Sequence, residues 1–500
     1  MTDIVLTTLN AKYIHSSLGL RYLKSNMGEL YDRTSIIEYN INIRPIDVVE
    51  KLLSMHPAVI GFSVYIWNIE QTTTIIQMIK KLAPDICIVI GGPEVSYEYQ
   101  ETEIFRLCDY LISGQGDLAF SQLCKQVLGG LSPDNKLFNT QPFTLSQLKM
   151  PYSEYTAEDI ANRIIYVEAS RGCPFKCEFC LSALDKTAYP FDLDLFMDQM
   201  QQLFDRGARS FKFVDRTFNL NIKSSMRIMR FFLDKINDGI FLHFELIPDH
   251  LPEKLKALIS QFPAGSLQFE IGIQSMNNNV QSLISRKQDD EKSQANLAWL
   301  RKNSNAHIHT DLIVGLPGED ISSFENGFNE LVKLDPHEIQ IGILKRLKGS
   351  PIIRHTNQFE LSFSPVPPYN ILKTSNIDFM TMQRLVRFSR YWDLISNSGR
   401  FNHSKTLLLG KKPYANFMKL SDWLYKETGQ THKLALERLF KLVYRAMIEI
   451  LEINPEAVET DLLKDFERSG IKGYPVYLSN KSDKNNQRNN RANARQQQHM

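Results

Sequence analysis

Three closely spaced cysteines are the residues of this chain best suited to chemistry. Cys173, Cys177 and Cys180 lie in the run SRGCPFKCEFC, with three and then two residues between them. Iron–sulfur clusters are held by cysteine thiolates, usually four of them. Three thiolates would leave one iron of a four-iron cluster without a protein ligand, and an open iron can bind a substrate or cofactor. The spacing therefore favours a cluster that acts on a bound molecule over one that only carries electrons.

A zinc site is the alternative use of the same cysteines. Zinc sites mostly combine a C-x₂₋₄-C element with a second pair of Cys or His, and no such pair follows in this sequence. The other cysteines, Cys87, Cys108 and Cys124, stand singly in apolar surroundings and are typical of small buried side chains. The spacing favours the open-iron cluster, and a metal-stabilised, non-enzymatic scaffold stays as the alternative.

Composition and charge narrow the class of protein. The chain has 500 residues, which suggests about three domains, and 43% of them are apolar, as in ordinary globular cores. The 58 Lys and Arg nearly balance the 56 Asp and Glu, which argues against a dedicated nucleic-acid binder. No apolar run reaches the roughly 18 residues of a membrane span, and MTDIVLTTLN does not read as a signal peptide. We expect a cytoplasmic protein with no membrane partner.

The first 128 residues alternate short β-branched strands with helical stretches. We expect strands at residues 4–9, 35–39, 59–65, 86–90 and 110–112. Strands separated by helix-length segments form right-handed βαβ units and a parallel sheet. The pattern predicts an α/β fold that begins with a doubly wound, Rossmann-like sheet of five parallel strands. Such sheets bind ligands beyond the carboxyl ends of their strands.

Small residues cluster at three of those carboxyl ends. Glycines let backbone amides come close to a flat or anionic ligand, although any one of these loops could simply be a tight turn. Three such loops at corresponding strand ends favour a ligand site formed by Gly61, Ser63, Gly91, Gly92, Gly114 and Gly116.

A second alternating series follows a linker, predicted at residues 129–160 by the breaker runs LSPDN and QPF. Six further strands, expected at residues 164–169, 211–214, 241–247, 267–273, 307–314 and 338–344, predict a partial (βα)6 barrel within residues 161–360. Catalytic residues of βα barrels come from the carboxyl ends of the strands, where the cysteine loop would lie. Residues 361–478 predict a helical C-terminal domain, and the polar residues 479–500 predict a disordered tail.

The cysteine run resembles that of the radical S-adenosylmethionine (SAM) superfamily, which also has an aromatic residue before the third cysteine, here Phe179. The resemblance implies a [4Fe-4S] cluster whose open iron is chelated by SAM. One-electron reduction of SAM would then yield a 5′-deoxyadenosyl radical that acts on an unidentified substrate. The resemblance also implies an external one-electron reductant such as flavodoxin or ferredoxin.

Further segments, in order along the chain, are similar to the strands that contact SAM in this superfamily. FVDRTFN, which contains Asp215, is similar to the second-strand segment that flanks SAM. FELIPDHL places Glu245 at the end of the third strand, and EIGIQS, with Gln274, resembles the fourth-strand motif. The resemblance therefore implies that Asp215, Glu245 and Gln274 contribute to cofactor binding.

Two later segments complete the resemblance. The run LISR ends in Arg286, at the position where similar enzymes place an arginine near the SAM carboxylate, and a guanidinium offers a planar donor fork for that group. HTDLIVGLPGED is similar to the fifth-strand motif near the adenine, where Gly315 and Pro317 would keep side chains away from the ring.

The N-terminal domain, predicted at residues 1–128, resembles the cobalamin-binding domain that precedes some radical SAM barrels. Its GGPE and SGQGD segments look like corrin-facing loops. The motif DxHxxG, which supplies a histidine ligand to cobalt, is absent, since His15 has Tyr13 and Leu18 at the Asp and Gly positions. The resemblance therefore implies cobalamin as a cofactor without a histidine ligand.

Cobalamin-linked methyl transfer is the leading hypothesis for the reaction, and ring formation and rearrangement also occur on this architecture. A cobalamin-independent radical SAM enzyme is the alternative, with a first domain that recognises RNA or protein. The basic side chains of the tail raise the hypothesis that it contacts nucleic acid, but this hypothesis is not favoured. No catalytic residue is assigned, because candidate carboxylates such as Asp311 could equally make structural hydrogen bonds.

Overall fold

A computed structural model describes residues 3–140, 142–185, 187–471 and 475. The predicted tail, residues 479–500, lies outside the described residues. The chain divides into two compact units, residues 1–389 and 390–500. None of the helices in the described ranges combines the length and the apolar character needed to cross a membrane.

The first sheet consists of six parallel strands in the described part of the chain, in the order β2-β1-β3-β4-β5-β6. The strands are β1 (Ile4–Asn10), β2 (Thr34–Asn40), β3 (Val59–Ser63), β4 (Cys87–Gly91), β5 (Tyr110–Ser113) and β6 (Leu137–Asn139). Five strands were expected. The sixth is a three-residue strand within the predicted linker, too short between its flanking turn residues to produce a periodic pattern.

Helices cover both faces of this sheet, as the doubly wound fold requires. They are α1 (Leu18–Ser25), α2 (Pro45–Leu53), α3 (Ile69–Leu82), α4 (Glu103–Leu107) and α5 (Ala119–Leu128). Apolar residues of α2, α3 and α4 pack on one face, and those of α1 and α5 pack on the other. Strand β1 is buried along its whole length, because it has a neighbouring strand on each side and apolar residues packed on both faces.

The second sheet carries the cysteine loop at one end. Strands β7 and β10–β14 below are parallel and form a sheet in the order β14-β13-β12-β11-β10-β7, while β8 and β9 pair as an antiparallel hairpin. The strands are β7 (Ile165–Val167), β8 (Ser170–Gly172), β9 (Ala188–Pro190), β10 (Ser210–Phe213), β11 (Phe241–Leu246), β12 (Leu267–Gln274), β13 (His307–Val314) and β14 (Glu338–Ile343). The six strands expected for the partial barrel are therefore confirmed.

Alternation along the central barrel strands separates an apolar face from a polar one. In β12, Phe269, Ile271 and Ile273 are buried, whereas Glu270 and Gln274, which alternate with them, stay partly accessible. The apolar face packs under the barrel helices, which leaves the polar face for the lumen. The helices are α6 (Ala157–Asn162), α7 (Leu193–Asp205), α8 (Ile222–Leu233), α9 (Glu253–Ile259), α10 (Asn278–Leu283), α11 (Asp290–Asn303) and α12 (Ile321–Lys333).

The remainder of the chain is mainly helical, as predicted. A short antiparallel pair, β15 (Ser362–Phe363) and β16 (Ile371–Lys373), precedes the last helices. These are α13 (Phe379–Trp392), α14 (Ser404–Leu409), α15 (Pro413–Thr428), α16 (Leu436–Glu449) and α17 (Pro455–Arg468). Within residues 390–471, aromatic side chains form the core, with the rings of Trp392 and Phe417 4.9 Å apart.

Candidate functional site

The cysteine loop begins directly after β8, the hairpin strand that follows the edge strand β7 of the barrel. Cys173 follows β8, and the backbone NH of Cys180 donates to the carbonyl of Cys177 at 3.0 Å. Gly172 has φ +96°, and a Cβ there would lie 2.0 Å from the carbonyl oxygen of Thr187, so only glycine fits beside the first cysteine. All three thiols are free of disulfides.

Glu178 fastens the middle of this loop to the rest of the barrel. Its side chain is buried, with Oε2 2.9 Å from His355 Nε2 and Oε1 paired with Arg354 and with the Ser285 hydroxyl. Its backbone NH donates to the Ile284 carbonyl at 3.0 Å. The sequence analysis missed this role, because the residues that Glu178 contacts lie more than a hundred positions away.

A cavity of about 260 Å³ opens in front of the three cysteines. Four of the predicted cofactor residues line it together with the cysteine triad: Phe179, Glu245, Gln274 and Arg286. The sequence analysis missed other charged residues of its wall, namely Arg216, Glu270 and Lys287. The first cavity therefore brings together the cysteine loop and one predicted residue from each of three later motifs.

Arg286 points from the helix end of α10 toward the cysteines. Its Nη1 lies 3.7 Å from the Sγ of Cys177, while Nη2 donates to the backbone carbonyl of Gly272. The Nε donates to Oε1 of Gln288 at 3.1 Å. These bonds fix the guanidinium plane at the cavity wall, where it can meet an anionic group of a molecule bound to the cluster.

A row of carboxylates forms the floor of this cavity. Glu245 pairs with Arg216 at 2.9 Å, and burial raises the pKa of Glu245 to about 6 against the opposing charge of Arg216. Burial would also raise the pKa of Glu270, but its hydrogen bond with His243 at 3.0 Å and the nearby Lys212 outweigh burial, and the pKa falls to about 2. Both carboxylates are therefore ionised at neutral pH, and each lies beside a basic side chain.

The chemistry of the thiol set fits a cluster better than a single ion. Within the described ranges, no group of three or more His, Cys, Asp or Glu side chains is close enough to hold one metal ion. A single zinc ion needs all its ligands at bonding distance from one point. In a four-iron cluster each thiolate binds a different iron, so the thiolates stand farther apart.

Three of the cofactor residues predicted from the barrel segments do not line the first cavity. Asp215 is buried and accepts hydrogen bonds from the backbone NH of Ala169 at 3.0 Å and from the Ser170 hydroxyl at 2.6 Å. Burial raises the pKa of Asp215 to about 7, and its side chain borders a separate cavity of about 210 Å³. Gly315 and Pro317 lie in the turn after β13 and are buried outside the lining. Their contact with SAM stays a prediction.

A second cavity, of about 320 Å³, lies at the carboxyl ends of β3, β4 and β5. All six small residues predicted from the first domain line it: Gly61, Ser63, Gly91, Gly92, Gly114 and Gly116. Gly92 has φ +111°, and a Cβ there would lie 2.5 Å from the carbonyl oxygen of Val64. Apolar side chains and backbone make up most of the remaining wall, which suits the face of a large flat ring.

The second cavity contains no histidine among its described lining residues. This agrees with the missing DxHxxG motif and with cobalamin held without a histidine ligand. The wall includes Arg171, a residue of the barrel rather than of the first domain, together with Tyr22 and Asp117. The sequence analysis did not anticipate that a residue two positions before Cys173 would face this cavity.

Family models match three successive parts of the chain. The B12 binding domain matches residues 4–124, and the radical SAM superfamily matches residues 167–331. A protein family of unknown function, DUF4080, matches residues 357–500. The first cavity lies within the radical SAM match. The second cavity lies within the B12-binding match, except for Arg171, which belongs to the radical SAM match.

Relatives of similar organisation are distant in sequence. An uncharacterized methyltransferase of Pyrococcus horikoshii is 23% identical over 462 residues, which cover 86% of this chain and 94% of that protein. The cobalamin-dependent radical SAM methyltransferase TokK of Streptomyces tokunonensis is 23% identical over 337 residues. That match covers 58% of this chain and 47% of TokK, so the chain spans about half the length of that relative.

Solved structures show the same fold. OxsB, a cobalamin-dependent SAM radical enzyme with aqua-cobalamin bound, matches with a TM-score of 0.60 and 14% identity over 93% of this chain and 80% of OxsB. The radical SAM methyltransferase TsrM from Kitasatospora setae, with cobalamin and a [4Fe-4S] cluster bound, matches with a TM-score of 0.57 and 16% identity, over 73% of this chain and 76% of TsrM. The chain is thus a radical SAM enzyme with an N-terminal B12-binding domain, and its cofactors are a [4Fe-4S] cluster, SAM and cobalamin.

Proposed function

We propose that this protein transfers a methyl group from SAM to an unreactive carbon of its substrate, with cobalamin as the methyl carrier. One observation carries the proposal. The segment from Arg171 to Cys173 borders both cavities, because Arg171 lines the second and Cys173 lines the first. Two cofactor sites separated by only three residues of the chain support the transfer of a methyl group from one cofactor to the other.

Residues of the first cavity would hold the cluster and SAM. Cys173, Cys177 and Cys180 would ligate three irons, and Arg286 would pair with the carboxylate of SAM beside Cys177. The carboxylate floor with Glu245 and Glu270 would lie near the positive sulfonium. When bound, the cluster supplies the electron that splits SAM, and the corrin supplies a carrier for the methyl group.

The loops of the second cavity would hold the corrin by shape. The glycines at the ends of β3, β4 and β5 would leave room for its face, and the described lining residues include no histidine that could supply an imidazole ligand. An external one-electron donor is needed as for other radical SAM enzymes, and we propose flavodoxin or ferredoxin for that role.

Replacement of one cluster ligand tests the first half of the proposal. We expect Cys177→Ala, reconstituted without oxygen, to lose iron and to cleave SAM roughly 100-fold more slowly or not at all, because one iron loses its thiolate. The measurement is 5′-deoxyadenosine formed with dithionite, beside iron and sulfide per chain. Cys108→Ala, a buried thiol of the first domain, is the matched control and should behave as wild type. Cleavage at the wild-type rate by Cys177→Ala would overturn the cluster assignment.

Corrin retention tests the second half. The protein is incubated with hydroxocobalamin, desalted, and measured by its optical spectrum, with about one corrin expected per chain. Substitution of Gly92 by valine should abolish retention, since its Cβ would collide with the Val64 carbonyl at a backbone conformation that valine rarely adopts. Absence of corrin bands from the wild-type protein would defeat the cobalamin half alone.

A further inference from the structure

Arg171 joins the two halves of the site through its side chain. It is the middle residue of β8 (Ser170–Gly172), so its backbone leads directly into Cys173. Its guanidinium reaches back to the first domain, where Nη1 lies 3.1 Å from Asp117 Oδ2 and Nη2 lies 3.3 Å from Asp117 Oδ1. Asp117 follows Gly116 in the SGQGD loop at the edge of the second cavity.

A second carboxylate holds the same guanidinium from the barrel side. Glu168 Oε1 accepts from Arg171 Nε at 3.0 Å and from Nη2 at 2.8 Å. The Arg171 guanidinium also lies 4.5 Å from the ring centre of Tyr22, on α1. Each nitrogen therefore has at least one carboxylate partner, and the side chain has a single well-defined position.

This arrangement is buried enough to be rigid. The side chains of Arg171, Asp117 and Glu168 are 18%, 9% and 10% exposed. A buried charge that loses one partner is strongly destabilised, so the three groups stay together. By contrast, another ion pair between the two sheet domains, Arg346 with Glu98, is about a third exposed on each side and lines neither cavity.

We infer that Arg171 is a positioning residue for methyl transfer, which locks the corrin-facing loop at residues 113–117 to the strand that leads into the cluster. The inference rests on the proposed function. The Asp117–Arg171–Glu168 bridge sets the distance between the two cofactor sites, because it spans the wall that they share. A displacement of about 1 Å between reacting groups costs roughly 100-fold in rate. The bridge therefore governs transfer between the cofactors and leaves the chemistry within the first cavity intact.

Asp117→Asn is the sharpest variant, because Arg171 keeps Glu168 as its charge partner. We expect SAM cleavage to 5′-deoxyadenosine to stay within about two-fold of wild type, while S-adenosylhomocysteine formed with reduced cobalamin, in the absence of substrate, slows roughly 10- to 100-fold. Arg171→Gln should likewise slow S-adenosylhomocysteine formation and leave SAM cleavage near the wild-type rate. The double variant should form S-adenosylhomocysteine no more slowly than either single variant. Arg346→Gln is the matched control and should retain both rates.

A measurement on the apo protein separates positioning from catalysis. Amide hydrogen exchange should rise together at residues 113–117 and 170–173 in Asp117→Asn and stay at the wild-type level in Arg346→Gln. Wild-type protein that forms no S-adenosylhomocysteine would overturn the proposed function. Two results would overturn only this inference. In one, Asp117→Asn forms S-adenosylhomocysteine as fast as the wild type. In the other, the variant loses 5′-deoxyadenosine and S-adenosylhomocysteine formation to the same extent. If Arg171→Gln does not fold, Asp117→Asn decides alone.

Discussion

At the scale of single residues, the cysteine loop is held by side chains rather than by regular structure. Glu178 stands between two cysteines of the triad, and its buried carboxylate contacts His355 at 2.9 Å as well as Arg354 and Ser285. The carbonyl of Glu178 also accepts from the backbone NH of Ile352 at 2.9 Å. A single acidic residue thus links the loop to two distant segments of the chain.

Removal of this anchor should loosen the loop. We expect Glu178→Ala to bind iron and sulfide at less than about half the wild-type level after reconstitution, because His355 is left buried without its partner. Glu178→Gln keeps the hydrogen-bonding shape and should recover most of the iron. Iron and sulfide per chain are the measurement, and Arg354→Gln, which removes the half-exposed partner, is the control. Full iron loading of Glu178→Ala would show that the loop does not need this contact.

At the scale of elements, parallel strands deliver polar residues to one end of the barrel. Register places Glu245 of β11 beside Glu270 of β12, and Gly272 of β12 beside Asp311 of β13. The turn after β13 then places Glu319 at the start of α12, where it accepts from the Ser275 hydroxyl at 2.6 Å. Neighbouring strands in register therefore explain why distant motifs share one cavity.

Glu319 should make the stability of the protein depend on pH. Burial raises its pKa from the ordinary 4.5 to about 7, although hydrogen bonds from Ser275 and Ser323 oppose the rise. The protonated carboxyl stabilises the fold below pH 4.5, and this contribution is lost as pH rises toward 7. Compared with Glu319→Gln, the wild type should lose roughly 2 kcal/mol between pH 5 and 8.

The urea midpoint of each protein, measured across this pH range, provides the test. Glu330→Gln removes a half-exposed carboxylate of the same helix, α12, and should leave the pH dependence as in wild type. Parallel curves for wild type and Glu319→Gln would show that the Glu319 carboxyl does not titrate as described.

At the scale of the whole molecule, buried charges join the B12-binding domain to the barrel within the first unit. Glu94, in the loop after β4, lies 3.0 Å from Lys348 Nζ and accepts from the Tyr369 hydroxyl at 2.8 Å. The side chains of Glu94 and Lys348 are 3% and 9% exposed. Together with the Arg171 bridge on the next loop, this pair holds two loops that border the second cavity against the barrel.

Without Glu94, the two domains should separate at a lower urea concentration than in the wild type. We expect Glu94→Ala to cost about 3 kcal/mol, because the Lys348 ammonium stays buried without a counter-charge. Urea unfolding and limited proteolysis within residues 129–160 measure the effect. Arg346→Gln, at the partly exposed pair, should cost less than about 1 kcal/mol. Equal midpoints for Glu94→Ala and wild type would indicate that the domains are held by other contacts.

Much of the fold could be predicted because its signals are local. Short β-branched runs at regular intervals predicted both βα series, and the six barrel strands followed that pattern. The strand Leu137–Asn139 was missed, since three residues between turns carry no period and its pairing with β5 depends on tertiary contact. Glycine loops could be assigned to one cavity because the carboxyl ends of neighbouring parallel strands meet at one edge.

The sequence alone predicted the cluster chemistry of this protein, because the three cysteine ligands lie close together in the chain and their spacing is recognisable. Only the tertiary structure decided how the cofactor sites are joined. Arg171 and Asp117 are 54 positions apart, and Glu178 and His355 are 177 apart. Charged pairs at such separations leave no periodic trace in the sequence, since burial and the fold, rather than local propensity, select their partners.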